Sequence, residues 1–316
     1  MEELREYSSL YKLVSTVCDL SPDHAKYLGK SIFDRSVSEL ELSDHLSDLI
    51  LKIKDQELAS ACSNYLWTCD QLKEEMLFFF REGKYRYSKL EDAIEHVYNN
   101  AGYMEKYLDG LLLTQVLWRN QFDVVMDLVG NFLQKPDKPF RHLEVGPGHG
   151  LLLYLVSRND NCLSAEGWDI SESSLAHTRS CLEKLSPSKK VTLRLKNAGQ
   201  VNEAQSAKFD TVVISEVLEH VETPVAMLQG LRSMMTTEGL IFVNVPINSP
   251  ALDHIYLLET REQSLRLVSE SGFEIVEARF YPMVGYTLEA ALDRRATVSC
   301  VIIGRNSELC AERKYK

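Results

Sequence analysis

Apolar residues recur every three or four positions through 10–20, 25–33, 40–53 and 58–80, a spacing that predicts a run of amphipathic helices. Ser21-Pro22-Asp23 predicts a helix start, with Ser21 as the cap and Pro22 in the first turn. Glu82-Gly83-Lys84 and Asn99-Asn100-Ala101-Gly102 read as breaks. Residues 103–134 read as a long helical stretch interrupted near Asp109-Gly110. Lys135-Pro136-Asp137-Lys138-Pro139 is the clearest linker. Beyond it the period changes. Short apolar runs near 140–145, 163–169, 190–195, 209–215, 239–245, 273–280 and 297–304 predict strands, and amphipathic stretches near 149–158, 172–185, 224–235 and 260–271 predict helices between them. Alternation of this kind predicts a mostly parallel sheet covered on both faces. The chain therefore divides into a helical domain, 1–135, and an α/β domain, 136–316.

Composition narrows the class. A chain of 316 residues that is 45% hydrophobic suits packed domains and not disorder. Charged residues interrupt every apolar run, so no membrane span is expected. The start, Met1-Glu2-Glu3-Leu4-Arg5-Glu6, lacks the apolar core of a signal peptide. Cys18, Cys62, Cys69, Cys162, Cys181, Cys300 and Cys310 are scattered without a Cys-x-x-Cys pair, the pattern of reduced thiols in a cytoplasmic protein. Net charge is −11, and the one basic cluster is Arg313-Lys314-Tyr315-Lys316, so nucleic acid is not an expected partner.

The densest chemical signal is His142-Leu143-Glu144-Val145-Gly146-Pro147-Gly148-His149-Gly150. A buried strand runs into three alternate glycines and then into a helix, which makes a cradle that a polar ligand can approach closely. A dinucleotide fingerprint places its third glycine three residues after the second, whereas Gly150 falls two after Gly148. The next strand ends at Asp169, about 20 residues beyond the loop, where an acid binds ribose hydroxyls in nucleotide-binding α/β folds.

With Gly167-Trp168-Asp169, Ser215-Glu216-Val217-Leu218-Glu219-His220-Val221 and Glu238-Gly239-Leu240-Ile241-Phe242-Val243-Asn244-Val245-Pro246 in order after the glycine loop, the stretch 138–304 resembles the class I S-adenosylmethionine (SAM)-dependent methyltransferases. The resemblance implies a Rossmann-like sheet of seven strands, the last antiparallel, with SAM at the strands' carboxyl ends. It places Gly146, Gly148 and Gly150 near the methionine part, Asp169 on the ribose, Ile170 on the adenine face, and Asn197 and Ala198 at the adenine edge. Glu144, Pro147 and Ser215 complete the implied cofactor set, Glu144 as the residue that orients the loop.

The run Glu216-x-x-Glu219-His220, followed by Asp253-His254 and then Thr260-Arg261-Glu262, resembles the metal-dependent small-RNA 2′-O-methyltransferases, and ubiquinone-pathway O-methyltransferases share its first part. Residues three and four apart share one face of a helical turn, so Glu216, Glu219 and His220 are expected together. With His254 they form a donor set for Mg²⁺ or another divalent cation, which lowers a bound hydroxyl's pKa. Two readings stay open: that cation site, or a metal-free pocket in which His220 or His254 is the general base. The gap from His220 to His254 is shorter than in the RNA enzymes and the chain is acidic, so the chemistry is carried over and the RNA substrate is not.

Aromatic residues crowd 78–122: Phe78, Phe79, Phe80, Tyr85, Tyr87, Tyr98, Tyr103, Tyr107, Trp118 and Phe122. They read either as helical core or as a wall over an apolar or flat acceptor. The expectation is a methyltransferase for a small-molecule hydroxyl, with a homodimer through the helical domain as the expected assembly. N- or C-methylation without metal, RNA 2′-O-methylation and a non-catalytic partner subunit are the alternatives.

Overall fold

The computed structural model describes residues 2–200 and 208–307; Cys310 and the basic cluster at 313–316 lie outside them. The helical part comprises α1 (Ser8–Leu20), α2 (Ala25–Ile32), α3 (Val37–Lys54), α4 (Leu58–Glu82), α5 (Leu90–Ala93), α6 (Ala101–Leu117) and α7 (Arg119–Gly130). Local signals start and stop these helices. Ser36 and Glu39 form a reciprocal capping box on α3. Gly83 closes α4 in the left-handed conformation at φ 73°. The Asn100 side chain accepts the Tyr103 N–H, 3.0 Å, at the start of α6. Between α5 and α6, Ile94–Tyr98 form a π-helical turn.

Two expected boundaries are corrected. A 3₁₀ turn does start at Pro22 as expected, Pro22–His24, and leads into α2 at Ala25, but Ser21 makes no side-chain cap; its own N–H bonds back to Val17 O and ends α1. The expected interruption at Asp109-Gly110 is absent, and α6 breaks instead at Trp118, which is extended at φ −102° and ψ 130°. Gly110 serves close approach. A Cβ there would lie 2.1 Å from Thr68 Oγ1 on α4. Gly110→Ala pits about 1 kcal/mol of better helix propensity against about 1–3 kcal/mol of overpacking. At that separation a helix must move, so the overpacking term is expected at its upper end and the net loss at about 1–2 kcal/mol in denaturant unfolding. An unchanged or raised midpoint would contradict the close crossing.

The second part carries β1 (Phe140–Val145), α8 (Leu151–Ser157), β2 (Cys162–Asp169), α9 (Glu172–Leu185), β3 (Val191–Leu195), β4 (Phe209–Ser215), α10 (Pro224–Ser233), β5 (Met235–Ile247), α11 (Arg261–Glu270), β6 (Glu274–Pro282), α12 (Leu288–Asp293) and β7 (Val298–Arg305). The strands form one sheet in the order β3-β2-β1-β4-β5-β7-β6. Only β7 runs antiparallel, to β5 on one side and β6 on the other. The expected Rossmann-like seven-stranded sheet with a helical N-terminal region is the fold observed. The helix α12 has no counterpart in the apolar pattern, being a single short turn-and-a-half.

Strand order reverses between β1 and β4, and a parallel sheet opens a crevice at that point outside the carboxyl ends of its strands. Val145, Asp169 and Ser215 end the strands there. The helical part sits against this machinery. On α7, Asn120 Nδ2 donates to Ser299 Oγ of β7 at 2.9 Å, and Asp127 takes Arg279 and the Tyr281 hydroxyl of β6. Lys184 on α9 donates to Ile53 O on α3 at 2.7 Å. Among the described residues no helix is long and apolar enough to cross a membrane.

Candidate active site

At the mouth of β1 the chain turns through Gly146, Gly148 and Gly150, all at positive φ (66°, 48° and 73°). A Cβ on Gly146 would stand 2.5 Å from Val217 Cγ2, so the loop is closed to larger residues on steric as well as conformational grounds. Thr178 Oγ1 on α9 pins the loop by donating to Gly148 O at 2.7 Å. Gly146, Pro147, Gly148 and His149 line a cavity of ≈ 220 Å³, together with Glu144, Asp169, Ile170, Asn197, Ala198 and Ser215. Gly150 stands behind the loop against Thr178 and serves the turn.

Two acids at this end are perturbed. Burial pushes the Glu144 carboxyl well above its ordinary range, and its Oε2 is buried without a hydrogen-bond partner among the described residues. Burial also raises Asp169, to about 6, against hydrogen bonds from the Ser171 and Ile170 N–H groups that hold it down. The Ser171 N–H lies 2.9 Å from Asp169 Oδ1, while the cap of α9 is Ser171 itself. Ile170 stays half-exposed at the rim (45%), which leaves an apolar face free to cover a flat ring.

The other end of the cavity follows β4. Glu216 adopts the left-handed backbone, φ 53°, and the chain then makes a 3₁₀ turn over Leu218–His220. Glu216, Glu219 and His220 therefore do not share a helical face as their spacing predicted. The left-handed step at Glu216 turns its carboxyl toward the cavity, where Asn244 Nδ2 donates to it at 2.9 Å. Glu219 is fully buried, and neither carboxylate oxygen has a hydrogen-bond partner among the described residues. Burial raises both carboxyls, and the proximity of Glu216 raises Glu219 further.

Both imidazoles point the same nitrogen at that carboxylate. His220 Nδ1 lies 2.9 Å from Asp253 O, and His254 Nδ1 lies 2.5 Å from Ser249 O. A carbonyl only accepts, so each Nδ1 carries the proton and, in the neutral ring, each Nε2 keeps its lone pair. His220 Nε2 is 3.7 Å and His254 Nε2 3.9 Å from Glu219 Oε1. Burial, then the neighbouring His220, lowers His254 to about 4, so its ring is neutral at pH 7. One donor atom from each of Glu219, His220 and His254 lies within 4.8 Å of the others; Glu216 is outside that group.

The roof over this end comes from the helical part. Leu90, Tyr98, Met104, Tyr107, Leu108 and Leu111 face the cavity, and Gln121 of α7 reaches Glu216. The aromatic crowd of 78–122 thus divides: Tyr98 and Tyr107 line the cavity, whereas Phe79 and Phe122 are core.

Known proteins supply the class. The methyltransferase-domain family matches residues 117–278, just over half of the chain. The chain belongs to that family. Its relatives include the ubiquinone biosynthesis O-methyltransferase of Neisseria meningitidis serogroup C, 27% identical over 130 residues, which are 40% of this chain and 52% of that enzyme. The enzyme of the same description from Pseudomonas aeruginosa strain LESB58 is 28% identical over 126 residues, again 40% and 52%. The chain thus spans about half the length of the curated relatives it matches. Among solved structures, the [4+2]-cyclase SpnF aligns with a TM-score of 0.49 at 18% identity, over 60% of this chain and 82% of that one. The N-methyltransferase NodS of Bradyrhizobium japonicum with S-adenosylhomocysteine (SAH) aligns with 0.43 at 14%, over 59% and 85%.

The spacing of the motifs did not single out Asp253. It is 3% exposed, lines the cavity and receives the hydroxyls of Tyr98 and Tyr107, each at 3.4 Å. Its position beside His254 was the one available signal. His149, within the glycine loop, is also a cavity residue, lowered to about 3 by burial.

Proposed function

We propose that this chain is a SAM-dependent O-methyltransferase for a small-molecule hydroxyl, with a divalent cation at the acceptor end. The observation that carries the proposal is the convergence of two imidazole Nε2 atoms, from residues that line the same cavity as the glycine loop, on a buried carboxyl without a hydrogen-bond partner among the described residues. Residues at both ends fit the groups they would hold. A partnerless carboxylate oxygen on Glu144 fits an ammonium, narrow backbone at Gly146 and Gly148 fits an unbranched chain, and Asp169 fits a ribose diol. Glu219, His220 and His254 fit a cation, because they bring a carboxyl oxygen and two imidazole nitrogens within 4.8 Å of one another in a buried site. Two nitrogens and a carboxylate suit Mn²⁺ better than Mg²⁺.

SAM, when bound, supplies an electrophilic methyl group, and the cation supplies Lewis acidity that eases loss of the acceptor's proton. The chain's own residues do the positioning that in-line transfer requires. Met104, Leu108 and Leu111 hold an apolar acceptor body and exclude water. Glu216, fixed by Asn244 and facing the cavity, is placed to take the hydroxyl proton. The helical unit 1–135 is the acceptor's roof and 136–316 the catalytic unit, with α7 fastening one to the other.

Calorimetry tests both halves. SAH is expected to bind the purified chain, and Mn²⁺ is expected to bind the SAH-loaded wild type but not His254→Ala. Absence of SAH binding would overturn the methyltransferase reading. SAH binding without Mn²⁺ binding would overturn the cation alone.

A further inference from the structure

We infer that three tyrosines of the helical part are positioning residues for the cation ligands, so that the acceptor end is complete only while the helical unit is seated. This rests on the cation reading above.

Both imidazoles are oriented by one loop, 248–258. Ser249 O holds His254 and Asp253 O holds His220, each through Nδ1. Such a loop of irregular backbone sets ligand direction only if something holds it in turn. Part of the hold is internal to the catalytic unit. The Ile255 and Tyr256 N–H groups both donate to Glu219 O, at 2.8 and 2.9 Å. The loop begins at Asn248 in the left-handed conformation, φ 50°, which asparagine tolerates, and its N–H donates to Leu258 O at 2.9 Å.

The rest of the hold comes from far along the chain. The Tyr85 hydroxyl accepts the Ser249 N–H at 3.1 Å, and its ring meets His254 edge-on with centroids 5.7 Å apart. Tyr85 is 6% exposed, so it has little freedom to swing away. Tyr98 and Tyr107 close on the other ligand. Their hydroxyls donate to the two Asp253 oxygens, and the Tyr98 ring stands 6.4 Å from His220, also edge-on. Each imidazole thus has a chain of contacts ending in the helical part: His254 to Ser249 to Tyr85, and His220 to Asp253 to Tyr98 and Tyr107. Burial holds all three phenols far above their ordinary range, so they remain hydroxyls across the working pH scale.

Partners that orient a metal-bound imidazole are worth about 10- to 100-fold in metal affinity. The tyrosines act one bond further out, so the lower end, about tenfold, is expected for Tyr85→Phe. The experiment uses the SAH-loaded full chain, with Mn²⁺ calorimetry for affinity and the visible absorption of added Co²⁺ for ligand geometry. Variants are Tyr85→Phe and the double Tyr98→Phe/Tyr107→Phe. The control is Tyr65→Phe, whose hydroxyl takes the Trp118 indole N–H at 3.0 Å inside the helical part, away from the loop. Expected are about tenfold weaker Mn²⁺ binding and a changed Co²⁺ spectrum in both tyrosine variants, with SAH affinity kept. Tyr65→Phe should melt earlier yet bind Mn²⁺ as the wild type does. Wild-type affinity in both tyrosine variants would overturn the inference and leave the cation reading standing. Equal weakening in Tyr65→Phe would overturn it too, as mere loosening. If the wild type binds no Mn²⁺, the cation reading falls and the clamp with it. Should Tyr85→Phe not fold, the double variant decides alone.

Discussion

Glu219→Gln is expected to abolish Mn²⁺ binding and to slow methyl transfer to a catechol probe by about two orders of magnitude or more, while the metal-free protein stays at least as stable as the wild type. The two effects have opposite signs because they come from the same charge. With no cation present, Glu216 and Glu219 are two carboxyls in one dry site, each pushed up by burial. Two such groups cannot both ionise cheaply. A glutamine keeps the shape, removes the like charge and gives Glu216 a donor. The cation, in contrast, needs an anion between the two imidazoles, and a neutral amide is a poor substitute. Thermal melting with and without Mn²⁺, beside a tritium-methyl transfer assay, separates the outcomes. A variant that still gains stability from Mn²⁺ would refute Glu219 as ligand. One that unfolds without metal would show the carboxylate to be structural.

SAH affinity is expected to fall at least about tenfold per pH unit below pH 6, and Asp169→Asn is expected to lessen that slope by up to about tenfold per unit. Asp169 in the free protein titrates at about 6, held there by burial. A ribose diol donates its hydrogens to the carboxylate. The protonated acid must therefore release its proton before it can accept both, and binding weakens as pH drops through 6. Glu144 acts with the same sign, since its raised acid form cannot pair with an ammonium. The informative quantity is hence the difference between wild type and Asp169→Asn. At pH 7.5 the asparagine variant should bind about 10- to 100-fold more weakly, the worth of a hydrogen bond to a charged group. Superimposable pH profiles for the two proteins would remove Asp169 from the ribose.

Much of the proposed cofactor end of the cavity could be placed from the sequence because it is local. Gly146, Gly148 and Asp169 sit at the ends of strands whose apolar runs are unmistakable, and the parallel sheet carries those ends to one crevice. The acceptor end was legible in its residues but not in its geometry. Spacing of three and four says only that a turn is helical. Whether that turn includes Glu216 depends on one φ angle, and it is positive. Gly110 misled for a related reason: glycine marks a break when isolated on a helix, but here it marks where α4 and α6 touch. Trp118, where α6 does break, carries no glycine or proline to announce it. Tyr85 and Ser249 are 164 residues apart, and no periodicity relates positions so distant.

The donor set at this site has a practical corollary for anyone handling the protein. A donor set of two nitrogens and one carboxylate ranks Ni²⁺ and Cu²⁺ above Mn²⁺ in the general affinity order of divalent ions. On the proposed cation reading, material eluted from a nickel resin is expected to arrive loaded with Ni²⁺, which outcompetes Mn²⁺ there. Chelation and dialysis before the first titration are part of the chemistry of this site, and the history of a sample decides what its first assay reads.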